Sequence, residues 1–367
     1  MTNDDFYYLA LAFLPGVGSI LSENLISYCG GIENVFSSSK SKLLKVPGVG
    51  PKIVEHIISG EALKKAEKEL LFLEKYQIKL ITKNKPSYPK ILKNCPDSPP
   101  YLFVKGKIEL NHPRSVAIVG TRRATSYGRD FIASLLEELA KIDVQIISGL
   151  ALGIDAYAHR YALQNQLNTM AVLANSLNTV YPSIHTKLSQ EILEKGGSLL
   201  SELPCQTDLH PSHFPMRNRI IAGMAHATIV VESALSGGAI ITAHLANSYN
   251  RDVFALPGSY KEKYSMGCNY LIKKFNAQII ENADDLIQQM LWDKVGIKTK
   301  SVQAKLAFEL SEIETKILDI LKLNGEMDFD LLLHESKLNN GLISSHLLEL
   351  ELKGLIHHLP GNRLKHI

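Results

Sequence analysis

A chain of 367 residues, 45% hydrophobic and 21% charged, has ample material for a buried core and is too long for one ordinary domain of roughly 100–200 residues. Its 40 Lys and Arg against 37 Asp and Glu leave a net charge of only +3, so any nucleic-acid site must be a local patch. The four cysteines, Cys29, Cys95, Cys205 and Cys268, stand singly, which excludes a disulfide framework or a paired-cysteine zinc site and suits a reducing compartment.

The opening MTNDDFYYLALAFLPGVG begins acidic and lacks a basic leader, so it does not read as a signal peptide. No apolar run approaches the roughly 18 residues of a membrane span, and the expectation is a soluble cytoplasmic protein. Within residues 1–76 an internal repeat stands out: Leu14-Pro15-Gly16-Val17-Gly18 returns as Val46-Pro47-Gly48-Val49-Gly50. Each copy sits between apolar-periodic stretches, which predicts two helices joined by a tight glycine-containing hairpin, twice over. A charged helix from Glu61 to about Tyr76 closes this module.

Residues 77–292 form the next region. It opens with strand-like Ile78–Ile81 and a lead-in whose prolines at 86, 89, 96, 99 and 100 forbid continuous helix. From Arg114 short β-branched runs alternate with helical stretches: SVAIVG, VQIISG, NTMAVLA, GSLLSE, TIVVES, RDVFALPG and AQIIE. Such near-continuous apolar runs belong to parallel strands buried on both faces, and their alternation with helices predicts a doubly wound sheet. A basic linker over 293–309 follows. Residues 310–367 then read helix, helix, helix, β-hairpin, which suggests a winged helix.

Ligands of an open parallel sheet bind beyond the carboxyl ends of its strands. Four such ends carry candidate chemistry. Gly120-Thr121-Arg122-Arg123 offers a turn and two guanidiniums to a phosphate, or merely a tight turn with solvated arginines. Ser148–Asp155 contains Gly149 and Gly153, which permit close backbone approach; Asp155 and His159, one helical turn apart, read as an ordinary structural pair. Phe214-Pro215-Met216-Arg217-Asn218-Arg219 opens a helix with a flat ring and two cations, of which one is expected to pair inside the fold with Glu202 or Glu232. Ser236-Gly237-Gly238 at a helix start can present several amides to one anion, or serve only close helix–sheet packing.

The P-loop, the strict dinucleotide glycine pattern, the serine-nucleophile elbow and the zinc-helix motif are all absent. His210-x-x-His213 lacks further ligands, so no metal and no cofactor are expected. Phosphate contacts without an evident nucleophile describe a binding protein, not an enzyme.

In this order, VAIVGTRRATSYGR, SGLALGIDAYAHR, FPMRNRIIAG, VVESALSGGAIITA and VFALPG resemble the DNA-processing protein A (DprA/Smf) family. The upstream YPKILKNCPDSPPYLFVKG is similar to that family's lead-in. The resemblance implies an extended Rossmann-like fold, with an N-terminal helix-hairpin-helix (SAM-like) module and a C-terminal winged-helix module at its flanks. It further implies binding of single-stranded DNA, loading of the RecA recombinase during natural transformation, homodimers through the Rossmann-like domain, and no catalytic residues. Carried onto matching positions, the DNA pocket comprises Gly120, Thr121, Arg122, Arg123, Phe214, Arg217, Asn218, Arg219, Ser236, Gly237 and Gly238. Some relatives place a lysine just before the phenylalanine; here the stretch is His210-Pro211-Ser212-His213, which lowers the expected cationic charge.

The repeated hairpins are similar to helix-hairpin-helix modules. Their Gly16, Gly18, Gly48 and Gly50, with Lys52 in the second copy, can meet phosphates as a secondary contact or play a purely structural role. The last winged-helix segment carries Glu349 and Glu351 and few cations, which favours a regulatory or protein-contact role over duplex binding. An enzymatic alternative also stands: the loop near Glu232 loosely resembles nucleoside-monophosphate phosphoribohydrolases of the LOG type, but without their P-G-G-x-G-T-x-x-E pattern.

Overall fold

The computed structural model describes residues 3–107, 109–205, 207–292, 310–353, 355–359 and 363–366. The chain divides into two units, Met1–Val295 and Gly296–Ile367. The linker expected over 293–309 lies outside the described residues.

The seven β-branched runs are strands: β3 (Ser115–Val119), β4 (Gln145–Ser148), β5 (Thr169–Val172), β6 (Ser198–Ser201), β7 (Ala227–Val230), β8 (Asp252–Ala255) and β9 (Gln278–Ile279). All pair in parallel, in the order β6-β5-β4-β3-β7-β8-β9. Strand β3 shows why these runs are apolar at every position. Val116 and Ile118 enter the core on one face of the sheet, and Ala117 and Val119 enter the core on the other. A strand covered by helices on both faces has no side for water, so period-two alternation disappears.

The lead-in contributes more than a packing segment. Besides β1 (Lys79–Thr82), the stretch YLFVKG forms β2 (Tyr101–Gly106), and the two extend the sheet as antiparallel strands in the order β1-β2-β6. The sheet therefore has nine strands and is mixed at one edge.

Helices α1 (Asn3–Leu11), α2 (Ser19–Cys29), α3 (Ile32–Ser37), α4 (Lys40–Leu43), α5 (Pro51–Ile58) and α6 (Glu61–Lys75) build the N-terminal module. The sequence repeat is a structural repeat: Val17 N–H donates to Leu14 O at 3.2 Å, and Val49 N–H donates to Val46 O at 3.0 Å. Each hairpin delivers the chain into a helix whose N-cap is a glycine, Gly18 or Gly50. Helix α7 (Lys90–Lys93) follows in the lead-in. Helices α8 (Ser126–Leu139), α9 (Ile154–Gln164), α10 (Thr186–Glu194), α11 (His213–Met224), α12 (Gly238–Ser248), α13 (Met266–Lys273) and α14 (Ala283–Gln289) accompany the parallel strands.

The second unit holds α15 (Glu312–Asn324), α16 (Phe329–Ser336), α17 (Asn340–Leu352) and the hairpin β11 (Ile356–Leu359) and β12 (Arg363–His366). A short strand that the sequence reading passed over, β10 (Glu326–Asp328), pairs with β12 and completes a three-stranded wing. Ser311 and Glu314 form a capping box at α15, the usual start signal of a helix.

Candidate functional site

Reading outward from β3, the strand order runs β4-β5-β6 on one side and β7-β8-β9 on the other, so the winding reverses between β3 and β7. Crevices of α/β sheets open at such a reversal, outside the carboxyl ends of the strands. A cavity of about 430 Å³ opens there. The β3 loop contributes Gly120, Thr121 and Arg122, α11 contributes Phe214, Arg217 and Asn218, and the start of α12 contributes Ser236, Gly237 and Gly238. Nine residues predicted from sequence thus meet in one place.

The two loops are bolted together by a buried carboxylate. Glu232, 4% exposed, accepts Thr125 N–H at 2.9 Å and Thr125 Oγ1–H at 2.6 Å. Its backbone O accepts Thr121 N–H at 2.7 Å. Glu232 is therefore neither an arginine partner nor a free group. The β3 loop also uses its own amides: Arg123 N–H donates to Thr121 Oγ1 at 3.1 Å. What this loop presents to the cavity is mainly the exposed Arg122 guanidinium, which lies 5.7 Å from the Phe214 ring centroid. At the α12 start, Gly237 N–H donates to Ala234 O, and no side chain caps the helix. Ile240 N–H is taken by Gly237 O, so the first amides of α12 without a partner among the described residues are those of Gly238 and Ala239, both of which line the cavity, and a Cβ at Gly238 would meet only open space.

Positions 214, 217, 218 and 221 of α11 share one face because an α-helix turns about 100° per residue, and all four line the cavity. Arg217 is only 7% exposed. Its guanidinium donates to Gly149 O at 2.5 Å and to Val172 O, the carboxyl ends of β4 and β5. Burial pulls its pKa down to about 10, with the Asp155 carboxylate opposing that shift, so Arg217 stays a cation beneath the cavity. Asp155 in turn accepts Gly149 N–H at 3.0 Å and Ala151 N–H at 3.3 Å. Burial pushes its carboxyl above the ordinary value, against the pull of Arg217 and of these amides.

Three expectations need correction. Arg219 was expected at the DNA pocket; it points away and forms an ion pair with Glu202, both side chains nearly buried. It also donates to Asp97 O and, at 3.4 Å, to Ser19 Oγ of α2. Residues two apart on a helix face nearly opposite sides, so Arg217 and Arg219 cannot share one seat. Gly153 lines neither the cavity nor the smaller hollow beside it, and Gly149 lines only the smaller hollow. A Cβ at Gly149 would lie 2.5 Å from Arg217 Cζ; at Gly153, with φ +77°, it would lie 2.3 Å from Thr121 O. Both glycines let parts of the fold approach one another. Arg123 is exposed but stands outside the residues that line the cavity.

Sequence reading missed Lys263 and Tyr264, which line the cavity from the segment after β8. Tyr264 O accepts Ser233 N–H at 2.5 Å, which ties this segment to the β7 loop. The available signal was the basic-aromatic run Tyr260-Lys261-Glu262-Lys263-Tyr264. A smaller adjoining hollow of about 40 Å³ lies between Tyr181, Leu152 and Phe214, with Tyr181 edge-on to Phe214 at 5.7 Å.

His159 is fully buried, outside the residues that line either hollow. Thr169 donates its own hydroxyl to Ile146 O, so His159 Nδ1–H donates to Thr169 Oγ1 at 2.7 Å. Its Nε2 is buried with no protein partner. Burial holds its pKa at about 3, against 6.5 for a free imidazole. The unfolded chain therefore binds the extra proton between these values. His159 leaves stability intact above about pH 6.5 and removes about 1.4 kcal/mol per pH unit below it. Parent and His159→Gln should differ in urea-unfolding free energy by about 2 kcal/mol less at pH 5 than at pH 7. Parallel pH dependences of the two proteins would contradict the buried neutral imidazole.

Of the secondary residues, Gly18 lines a different cavity, of about 520 Å³, at the junction of α2 with Arg219 and Glu202. Gly16 belongs to the same hairpin. Gly48, Gly50 and Lys52 belong to the second hairpin, and none of the five lines the cavity at the switch point. Among the described residues, the one His/Cys/Asp/Glu group close enough to share an ion is Glu314, His346 and Glu349 of the second unit. There Glu314 is engaged by Lys353 and by Ser311 N–H at 2.7 Å.

The fold and the place of this cavity define the class: a Rossmann-like α/β protein with a ligand-sized cavity at the switch point of its sheet. The chain belongs to the DNA recombination-mediator protein A family, whose model matches residues 79–291, and a DprA winged helix domain matches residues 302–362. Protein Smf of Synechocystis is 32% identical over 98% of both chains. The solved DNA processing protein A of Streptococcus pneumoniae is 29% identical, with a TM-score of 0.66 over 79% of this chain and 98% of that one. The Helicobacter pylori protein, solved to examine its single-stranded DNA binding mode, is 33% identical, with a TM-score of 0.53 over 59% of this chain and 96% of that one. No helix among the described residues is long and apolar enough to cross a membrane.

Proposed function

We propose that this protein binds single-stranded DNA at the switch-point cavity and hands the strand to the RecA recombinase during DNA uptake and recombination, in the cytoplasm. The observation that carries this reading is the convergence of Arg122, Lys263, the buried Arg217 and the uncapped start of α12 around one open cavity, with Phe214 as a stacking surface. Cations and helix-terminal amides meet phosphate oxygens, and an aromatic face accepts a base without regard to its identity. Membership in a recombination-mediator family, and a relative studied for its single-strand binding, support the same reading. For a homodimer through the Rossmann-like domain, the support is the sheet edge at β9, where Ile279 is 51% and nearby Phe275 97% exposed. Exposed apolar side chains of this kind favour burial against a second copy.

The phosphoribohydrolase alternative needs a carboxylate free to act on a glycosidic bond. Glu232 is spent on Thr125 instead. Release of free base from a nucleoside monophosphate would revive it.

Arg122→Ala and Lys263→Ala alter exposed side chains and should leave the fold intact. Each should flatten the plot of log affinity for an oligonucleotide against log salt by about 0.7, the loss of one neutralised phosphate on a single strand. Slopes equal to the parent's in both variants would rule out this cavity as the strand's seat. Sedimentation of the parent, free and bound, reads the oligomeric state in the same buffers.

A further inference from the structure

The two hairpin copies share a backbone but carry opposite charge. Residues 1–39 contain Asp4, Asp5, Glu23 and Glu33 and no Lys or Arg; residues 40–58 contain Lys40, Lys42, Lys45 and Lys52 and the single acid Glu55. The acidic copy is docked on the basic edge of the sheet. Lys85 of the segment after β1 pairs with buried Asp5 at 2.7 Å, and Lys83 pairs with Glu23. The basic copy has no such engagement. Lys42 donates to Cys29 O at 3.1 Å and finishes α2, whereas Lys40, Lys45 and Lys52 are exposed and have no ion-pair partner among the described residues.

The second hairpin also lies beside α2, which meets α11 at the junction cavity. Met216, 46% exposed, lies about 100° around α11 from Arg217, on the side it shares with Arg219, and lines the junction cavity together with Ile20 and Leu21 of α2. Ile20 is 63% exposed, and Leu21 lies against Gly48 of the second hairpin. Asn24 of α2 donates to Pro47 O at 3.2 Å, fixing that hairpin beside α2. The acids along this path are neutralised or engaged: Glu202 by Arg219, and Asp97 by the Tyr249 hydroxyl at 2.6 Å. Within residues 40–58 the one acid, Glu55, is exposed one turn beyond Lys52.

We propose that the second hairpin, and not the first, is a further contact for the phosphate backbone of the same bound strand, which leaves the cavity over Met216 and Ile20 and reaches Lys40, Lys45 and Lys52. The inference rests on the strand-binding reading of the cavity. The first hairpin has become the clamp that fixes the module to the sheet, and the second has kept its face for a polyanion. Phosphate contacts of this kind add affinity and salt dependence without reading sequence.

The test uses the full chain with Lys40→Ala, Lys45→Ala and Lys52→Ala combined, on single strands of about six and about thirty nucleotides. On the long strand the triple variant should lose about two from the salt slope, three phosphates at roughly 0.7 each, while the short strand binds as in the parent. The three lysines should also become protected from an amine-reactive label by the long strand and not by the short one. Equal slopes on the long strand, or labelling that ignores strand length, overturn the proposal. A loss confined to a duplex of the same length overturns it too, by making the patch a duplex contact. If instead Arg122→Ala and Lys263→Ala bind both lengths as the parent does, the cavity reading is what has failed.

Discussion

Arg217→Met should lower the unfolding free energy by about 3–5 kcal/mol, measured by urea denaturation at neutral pH. The side chain is 7% exposed and holds the carbonyls of Gly149 and Val172, at the ends of two adjacent strands. Removing it leaves those acceptors unsatisfied and the buried Asp155 carboxylate without its countercharge. Adding Asp155→Asn should recover part of the loss, because the amide oxygen still accepts Gly149 N–H while the uncompensated charge is gone. An unchanged denaturation midpoint for Arg217→Met would refute the buried-cation account. This expectation bears on how the site is tested: weak DNA binding by an Arg217 variant reports folding first, whereas Arg122 and Lys263 report the strand.

Gly153→Ala is expected to cost about 3 kcal/mol of stability and to weaken strand binding with it. The backbone there has φ +77° and ψ −126°, a conformation nearly confined to glycine. The added methyl would lie 2.3 Å from Thr121 O and 2.6 Å from Arg122 C, both backbone atoms that cannot rotate aside. The β3 loop must then shift, and Ile154 N–H loses its 3.1 Å bond to Thr121 O. Denaturation and oligonucleotide titration of the same preparation separate the two roles. Normal stability with lost affinity would put Gly153 at the ligand surface and sink the packing role given to it.

Much of the site was legible before folding because its signals are local. A glycine loop after a β-branched run marks a strand's carboxyl end whatever the sheet order, so Gly120–Arg122 and Ser236–Gly238 could be found one segment at a time. The helical period places Phe214, Arg217 and Asn218 on one face, and the same arithmetic, applied one step further, turns Arg219 away from them. Lys263 and Tyr264 were harder to see. They lie far from the other lining residues in sequence and join them only because the strand order returns through β7 and β8.

From the order of its residues alone, the protein is committed to a doubly wound sheet, a duplicated hairpin and a helical wing domain, since hydrophobic period and turn chemistry act over a few residues. Only the folded chain decides which charges remain available. Whether an arginine reaches solvent or is held by a carbonyl depends on what packs beside it from distant segments, as Val172 does for Arg217 and Glu202 for Arg219. The burial that sorts these groups is a property of the assembled core, and no short stretch of sequence contains it.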